Sequence, residues 1–234
     1  MAYQEITNHL HSLANDERAQ HAMRFFNTGV GEYGEGDKFL GIRVPVIRLE
    51  VKKYKDASLS TAEKLLKSEY HEIRLFALLL LVSRYSNGNV VEQTRIYQLY
   101  LSNTLYINNW DLVDSSAPYI IGAHLNNKDK SILYELAKST SLWERRIAIL
   151  ATFYFIRKNK FGDVLRIAEQ LLNDPENLIH KAVGWMLRET GKRDMATEVA
   201  FLKRHYQQMP RTMLRYAIEK FSKAERHKYL TSQL

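Results

Sequence analysis

The sequence predicts an all-α chain, on three observations. Hydrophobic residues recur at three- and four-residue steps along most of its 234 residues. No run alternates with period two between turn signals. Only 10 Gly and 4 Pro occur, too few for the tight turns of an all-β protein. A composition of 45% hydrophobic and 26% charged residues is that of a globular protein and excludes a disordered one. With no Cys, the chain has no disulfide, thiolate metal site, iron–sulfur cluster or cysteine nucleophile. The longest uncharged apolar run, LFALLLLV at 75–82, is too short to span a bilayer, so no membrane partner is expected. The opening MAYQEITNHL lacks a basic stretch followed by an apolar one, so no secretory signal is expected and the expected compartment is the cytoplasm.

The elements follow in order. RAQHAMRFF reads as helix and leads into a Gly-rich segment holding five of the ten Gly, between Gly29 and Gly41. Within it, GVGEYG at 29–34 formally fits G-x-G-x-x-G. A dinucleotide site needs a strand in front, and the helix there makes a flexible loop the better reading. Pro45 opens the next helix. Helical spacing then runs through 61–84, 131–138, 143–158, 163–172, 178–190, 196–206 and 212–221. The eight His show no H-E-x-x-H or similar spacing, so no metal and no cofactor is expected, and no G-x-S-x-G or Walker-type loop occurs.

Internal repetition is the stronger signal. Arg74, Trp110, Arg146, Lys181 and Arg215 each sit just inside a helical segment, at spacings of 36, 36, 35 and 34. Such a period in a helical chain predicts a right-handed solenoid of stacked antiparallel helix pairs, HEAT- or armadillo-like, filling 1–234 as a single domain with a concave basic surface. Four members of the column are cationic, which suits phosphates spread along a duplex. One helical turn later stand Leu78, Asp114, Leu150, Trp185 and Glu219. Asp114 shares a face with Trp110, and a lone carboxylate is costly to bury, so the edge of the concave wall is expected for it. A helix cap or a salt bridge to a nearby Arg is the plain alternative. The net charge is +8, and residues 181–234 hold twelve Lys/Arg against five Asp/Glu, which points to a polyanionic partner.

These residues carry a resemblance. FLGIRVP (39–45), NNWDLVD (108–114), LWERRIAIL (142–150) and HKAVGWMLRE (180–189), in this order, resemble the AlkD family of bacterial DNA glycosylases, HEAT-like repeat proteins that remove alkylated purines. The resemblance covers essentially the whole chain. It implies that Asp114 is the catalytic carboxylate, Trp110 and Trp185 the aromatic walls of the lesion site, and Arg146 a phosphate-gripping arginine. Arg188 and Arg43 fall near the DNA-facing surface it implies, and Arg74, Lys181 and Arg215 of the basic column are expected to bind phosphates with them. The Gly-rich loop before FLGIRVP is a departure that not every member of the family has.

The implied activity is base excision of 3-methyladenine and 7-methylguanine type lesions from double-stranded DNA. A purine alkylated on N3 or N7 departs as a neutral base, so no second carboxylate is needed as general acid. No Lys stands where the motif would mark a nucleophile, so hydrolysis without strand cleavage is expected, by a monomer with no obligate protein partner. The competing expectations are a DNA-structure binder without catalysis and a HEAT-type protein–protein adaptor.

Overall fold

The computed structural model describes residues 2–231, and among them there is no β-strand; the chain is all-α. These residues form two compact units, one running through Ile120 and the other from Ile121.

The first unit holds α1 (Ala2–Ser12), α2 (Asp16–Phe25), α3 (Val44–Lys53), α4 (Leu59–Leu66), α5 (His71–Asn87), α6 (Val90–Ser102) and α7 (Trp110–Asp114). Asn15, Ser58 and Asn89 cap α2, α4 and α6, each side-chain oxygen accepting a backbone N–H of the first turn. Pro45 lies in the first turn of α3, where its missing N–H costs nothing. The apolar run at 75–82 forms the middle of α5, which packs against α3, α4, α6 and α7. A helix apolar on every side needs neighbours on every side.

The stretch 61–84 is not one helix. It breaks between α4 and α5, where the Ser68 hydroxyl accepts the Tyr70 N–H at 3.1 Å and the His71 N–H reaches back to the Lys38 carbonyl at 2.8 Å. The helix thus restarts where the Gly-rich loop is pinned to it.

The second unit holds α8 (Ser131–Leu136), α9 (Leu142–Ala151), α10 (Phe153–Ile156), α11 (Gly162–Gln170), α12 (Asn177–Gly191), α13 (Met195–His205), α14 (Arg211–Ala217) and α15 (Lys223–Thr231). Its hub is α12, which touches α9, α10, α11, α13 and α14 and buries Ile179, Val183, Met186 and Leu187. Gly184 explains the close approach of α14: a Cβ there would collide with the Met213 carbonyl oxygen. Arg146, Lys181 and Arg215 are each the fifth residue of α9, α12 and α14, and α12 packs against both of the others. Among the described residues no helix is long and apolar enough to cross a membrane.

Candidate functional site

In the first unit the site is built on α7, barely more than one turn of helix. Asn109 starts it, its side chain accepting the Trp110 N–H at 2.8 Å. Leu112 and Val113 are fully buried and pin one side. Trp110 and Asp114, four residues apart, share another face, and both side chains are half-buried. Asp111 points elsewhere, toward His71.

Trp110 belongs to an aromatic cluster. Its ring stacks on Phe26 at 5.3 Å, and Phe26 in turn stacks on Phe39 at 5.1 Å. The indole N–H donates to the Tyr33 hydroxyl at 3.3 Å. Tyr33 lies in the Gly-rich loop, so that loop ends against the tryptophan. Its glycine N–H groups are already used: Gly29 donates to Glu32 and Gly31 to Glu35, each at 2.9 Å. A pyrophosphate would have to displace both carboxylates, and α2 stands where a strand would be needed.

Beneath the aromatic cluster lies a buried ionic network. His71, at 2% exposure, has Nε2 2.8 Å from Asp111 Oδ2 and Nδ1 3.2 Å from Asp37 Oδ2. Asp37 also accepts from Arg74 at 2.5 Å. Burial works against a charged imidazole, but the Asp111 and Asp37 carboxylates outweigh it and push the His71 pKa up to about 9. Burial likewise opposes the Asp37 carboxylate, yet His71 and Arg74 hold it below the usual range.

The neighbouring Glu72 is buried and clamps the FLGIRVP turn, accepting the N–H groups of Leu40 at 2.8 Å, Gly41 at 2.7 Å and Ile42 at 3.3 Å. Gly41 is at φ +75°, and a Cβ there would run into the Asn15 carbonyl oxygen. A cleft of about 360 Å³ opens beside this turn, with Phe39, His71 and Asp111 on its wall and Arg18 and Arg43 among its lining.

In the second unit Trp185 is half-buried on α12, 6.0 Å from the Phe153 ring, its indole N–H donating to Glu189 at 3.3 Å. Burial opposes the Glu189 carboxylate, but Lys192, Arg193 and Trp185 together lower its pKa.

The cationic residues divide sharply. Arg43 and Arg215 are exposed and Lys181 is half-buried. Arg188 is half-buried and ion-paired to Glu219, so Glu219, one turn on from Arg215, holds one of the expected phosphate ligands. Arg146, at 5% exposure, donates to the Leu178 carbonyl at 2.6 Å, so it lies in the interior rather than on the surface expected of it. Arg74, at 3% exposure, is also an interior residue, fixed by Asp37 and by the Ser68 carbonyl at 3.0 Å. A buried guanidinium needs such partners. The repeat period locates these residues along their helices without saying which face they occupy.

A family model described as DNA alkylation repair enzyme matches residues 6–221. The chain belongs to the DNA alkylation repair enzyme family. Its role lies in the repair of alkylated DNA. A solved structure described as a predicted DNA alkylation repair enzyme from Enterococcus faecalis is similar in fold, with a TM-score of 0.68, 17% identity, and coverage of 90% of this chain and 97% of that one. No curated protein matches the chain.

For this family member, sequence reasoning missed His71, Asp37, Asp111 and Phe26. The signals were slight: an Asp closing the Gly-rich loop, a His opening an apolar run, and a Phe pair before the loop. Only the tertiary fold shows that they meet.

Proposed function

We propose that the chain is a monofunctional DNA glycosylase that hydrolyses the N-glycosidic bond of cationic alkylated purines in duplex DNA, as the AlkD resemblance implies. The supporting observation is the placement of Asp114: a half-buried carboxylate on the same face of α7 as a half-buried tryptophan.

The chemistry needs little more. The alkylated purine leaves as a neutral base, taking the electron pair of the C1′–N bond. The sugar becomes oxocarbenium-like, water adds at C1′, and the carboxylate accepts the water's proton. At about 4 Å and an effective dielectric of about 20, a carboxylate stabilises unit positive charge by roughly 4 kcal/mol. That corresponds to about a thousandfold in rate. The Trp110 and Trp185 faces favour a cationic nucleotide by about 0.5–2 kcal/mol each. Arg43, Lys181 and Arg215, whose side chains reach solvent, are the proposed phosphate contacts. Arg74 is left out because its charge is spent on Asp37.

Release of free 7-methylguanine and 3-methyladenine from methylated duplex DNA tests this. Asp114→Asn is expected to bind DNA as wild type does and to lose most excision. Wild-type protein that binds DNA and releases no base, where a control glycosylase does, would establish the DNA-structure binder instead.

A further inference from the structure

We propose that His71 is a positioning residue for this reaction: held between the Asp37 and Asp111 carboxylates, it sets the rotation of α7 and thereby the direction of Trp110 and Asp114. The inference rests on the glycosylase reading for its consequence and on geometry for its mechanism.

A helix of five residues does not hold itself. Its orientation comes from what grips it. Leu112 and Val113 supply apolar contact, which resists removal better than rotation. A directional grip comes from Asp111. Its Oδ1 has no hydrogen-bond partner among the described residues, so the 2.8 Å contact with His71 is what fixes the carboxylate. One residue on from Trp110, Asp111 sits about 100° round the helix, where a pull turns the face that carries Trp110 and Asp114.

His71 is itself immobile. Its ring lies 4.6 Å from Phe39 at 21° and 4.9 Å from Phe26 at 34°. Asp37, the anchor on its other side, is locked by Arg74. A second path runs from His71 through Phe26 to the Trp110 ring. Ionic and aromatic contacts therefore converge on the same short helix.

The strut requires charge. Both ring nitrogens face carboxylates, so both must carry protons, and a neutral ring would turn a lone pair toward one of them. The charged groups around it come from every neighbouring element. Asp37 lies on the Gly-rich loop, Asp111 on α7, and Glu72 and Arg74 on its own helix. Arg18 and His21 of α2, with Arg43 before α3, line the adjoining cleft. His71 also opens α5, where the helix dipole disfavours a cation, so the two carboxylates are what keep it charged.

The test uses His71→Gln and Asp111→Asn in the full chain. The readouts are single-turnover base release, DNA affinity, and Trp110 emission in a background where Trp143 and Trp185 are Phe. Both variants are expected to slow base release about tenfold to a hundredfold with DNA affinity unchanged, and to shift Trp110 emission. Wild-type Trp110 emission is expected to shift as pH rises through about 9, and the shift to come at lower pH in Asp111→Asn. If His71→Gln does not fold, Asp111→Asn carries the test alone. Folded variants with wild-type rate, pH profile and Trp110 emission overturn the proposal. If wild type releases no base, the glycosylase reading falls, and the Trp110 shift alone decides whether His71 holds α7.

Discussion

The two tryptophans with proposed roles sit on helices that are held by opposite means. Trp185 rides on fifteen residues of α12, whose buried apolar face touches five other helices and whose Gly184 lets α14 come close. Trp110 rides on five residues of α7, steered by one histidine between two carboxylates. A long helix supports its side chains through its own hydrogen-bond ladder and packing. A short one depends on directional polar contacts, so its geometry depends on protonation. The Trp110 region should answer to pH and to charge, and the Trp185 region to volume.

Buried charge sharpens the contrast. In the first unit His71 is paired on both sides. In the second, Glu198 of α13 is buried with Oε1 lacking any hydrogen-bond partner among the described residues. Burial pushes its pKa up to about 8, opposed only in part by Arg188. One group strengthens the fold when charged, and the other when neutral.

The largest expected effect is on stability against pH. His71 titrates near 6.5 when unfolded and near 9 when folded. Its contribution, about 3 kcal/mol, is therefore complete below about pH 6.5 and lost as pH rises through about 9. Urea unfolding of wild type should lose that stability over this window, and His71→Gln should not. An unchanged slope in the variant would break the comparison.

Glu198 gives an effect of comparable size with its own window. Its folded pKa also lies above the unfolded value, so the neutral form favours folding and stability falls as pH climbs from about 4.5 to about 8. Glu198→Gln should stabilise by up to about 5 kcal/mol at pH 9 and change little at pH 4. Destabilisation at pH 9 would mean that the carboxylate has a partner the geometry does not reveal.

Smallest are the surface cations. Arg43→Ala and Arg215→Ala should each weaken DNA binding across sequences and lower the salt slope by about one unit. A slope unchanged by either would remove that residue from the phosphate contacts. Arg146→Ala should act chiefly on stability, because it removes a buried side chain together with its hydrogen bond to the Leu178 carbonyl.

Much of the fold is legible in the sequence. The 35-residue spacing places Arg146, Lys181 and Arg215 at the same step of three helices. It is less faithful in the first unit, where Arg74 is the fourth residue of α5 and Trp110 the first of α7. Spacing also says nothing of depth, which is why Arg74 and Arg146 read as surface cations and lie inside. The pairing of Trp110 with Asp114 is legible because it is local, four residues along one helix. The network beneath is not. Asp37, His71 and Asp111 are separated by 34 and 40 residues, and no local pattern marks them as neighbours. The Gly-rich segment reads correctly as a loop rather than a nucleotide cradle, yet its work of presenting Tyr33 and Asp37 appears only once it is folded against α5 and α7.

The most direct measurement is single-turnover release of 7-methylguanine from methylated duplex DNA by wild type and Asp114→Asn, with DNA affinity measured alongside. The account predicts release by wild type, a fall of about a thousandfold in the variant, and the same affinity in both. Equal release by the two proteins would contradict it.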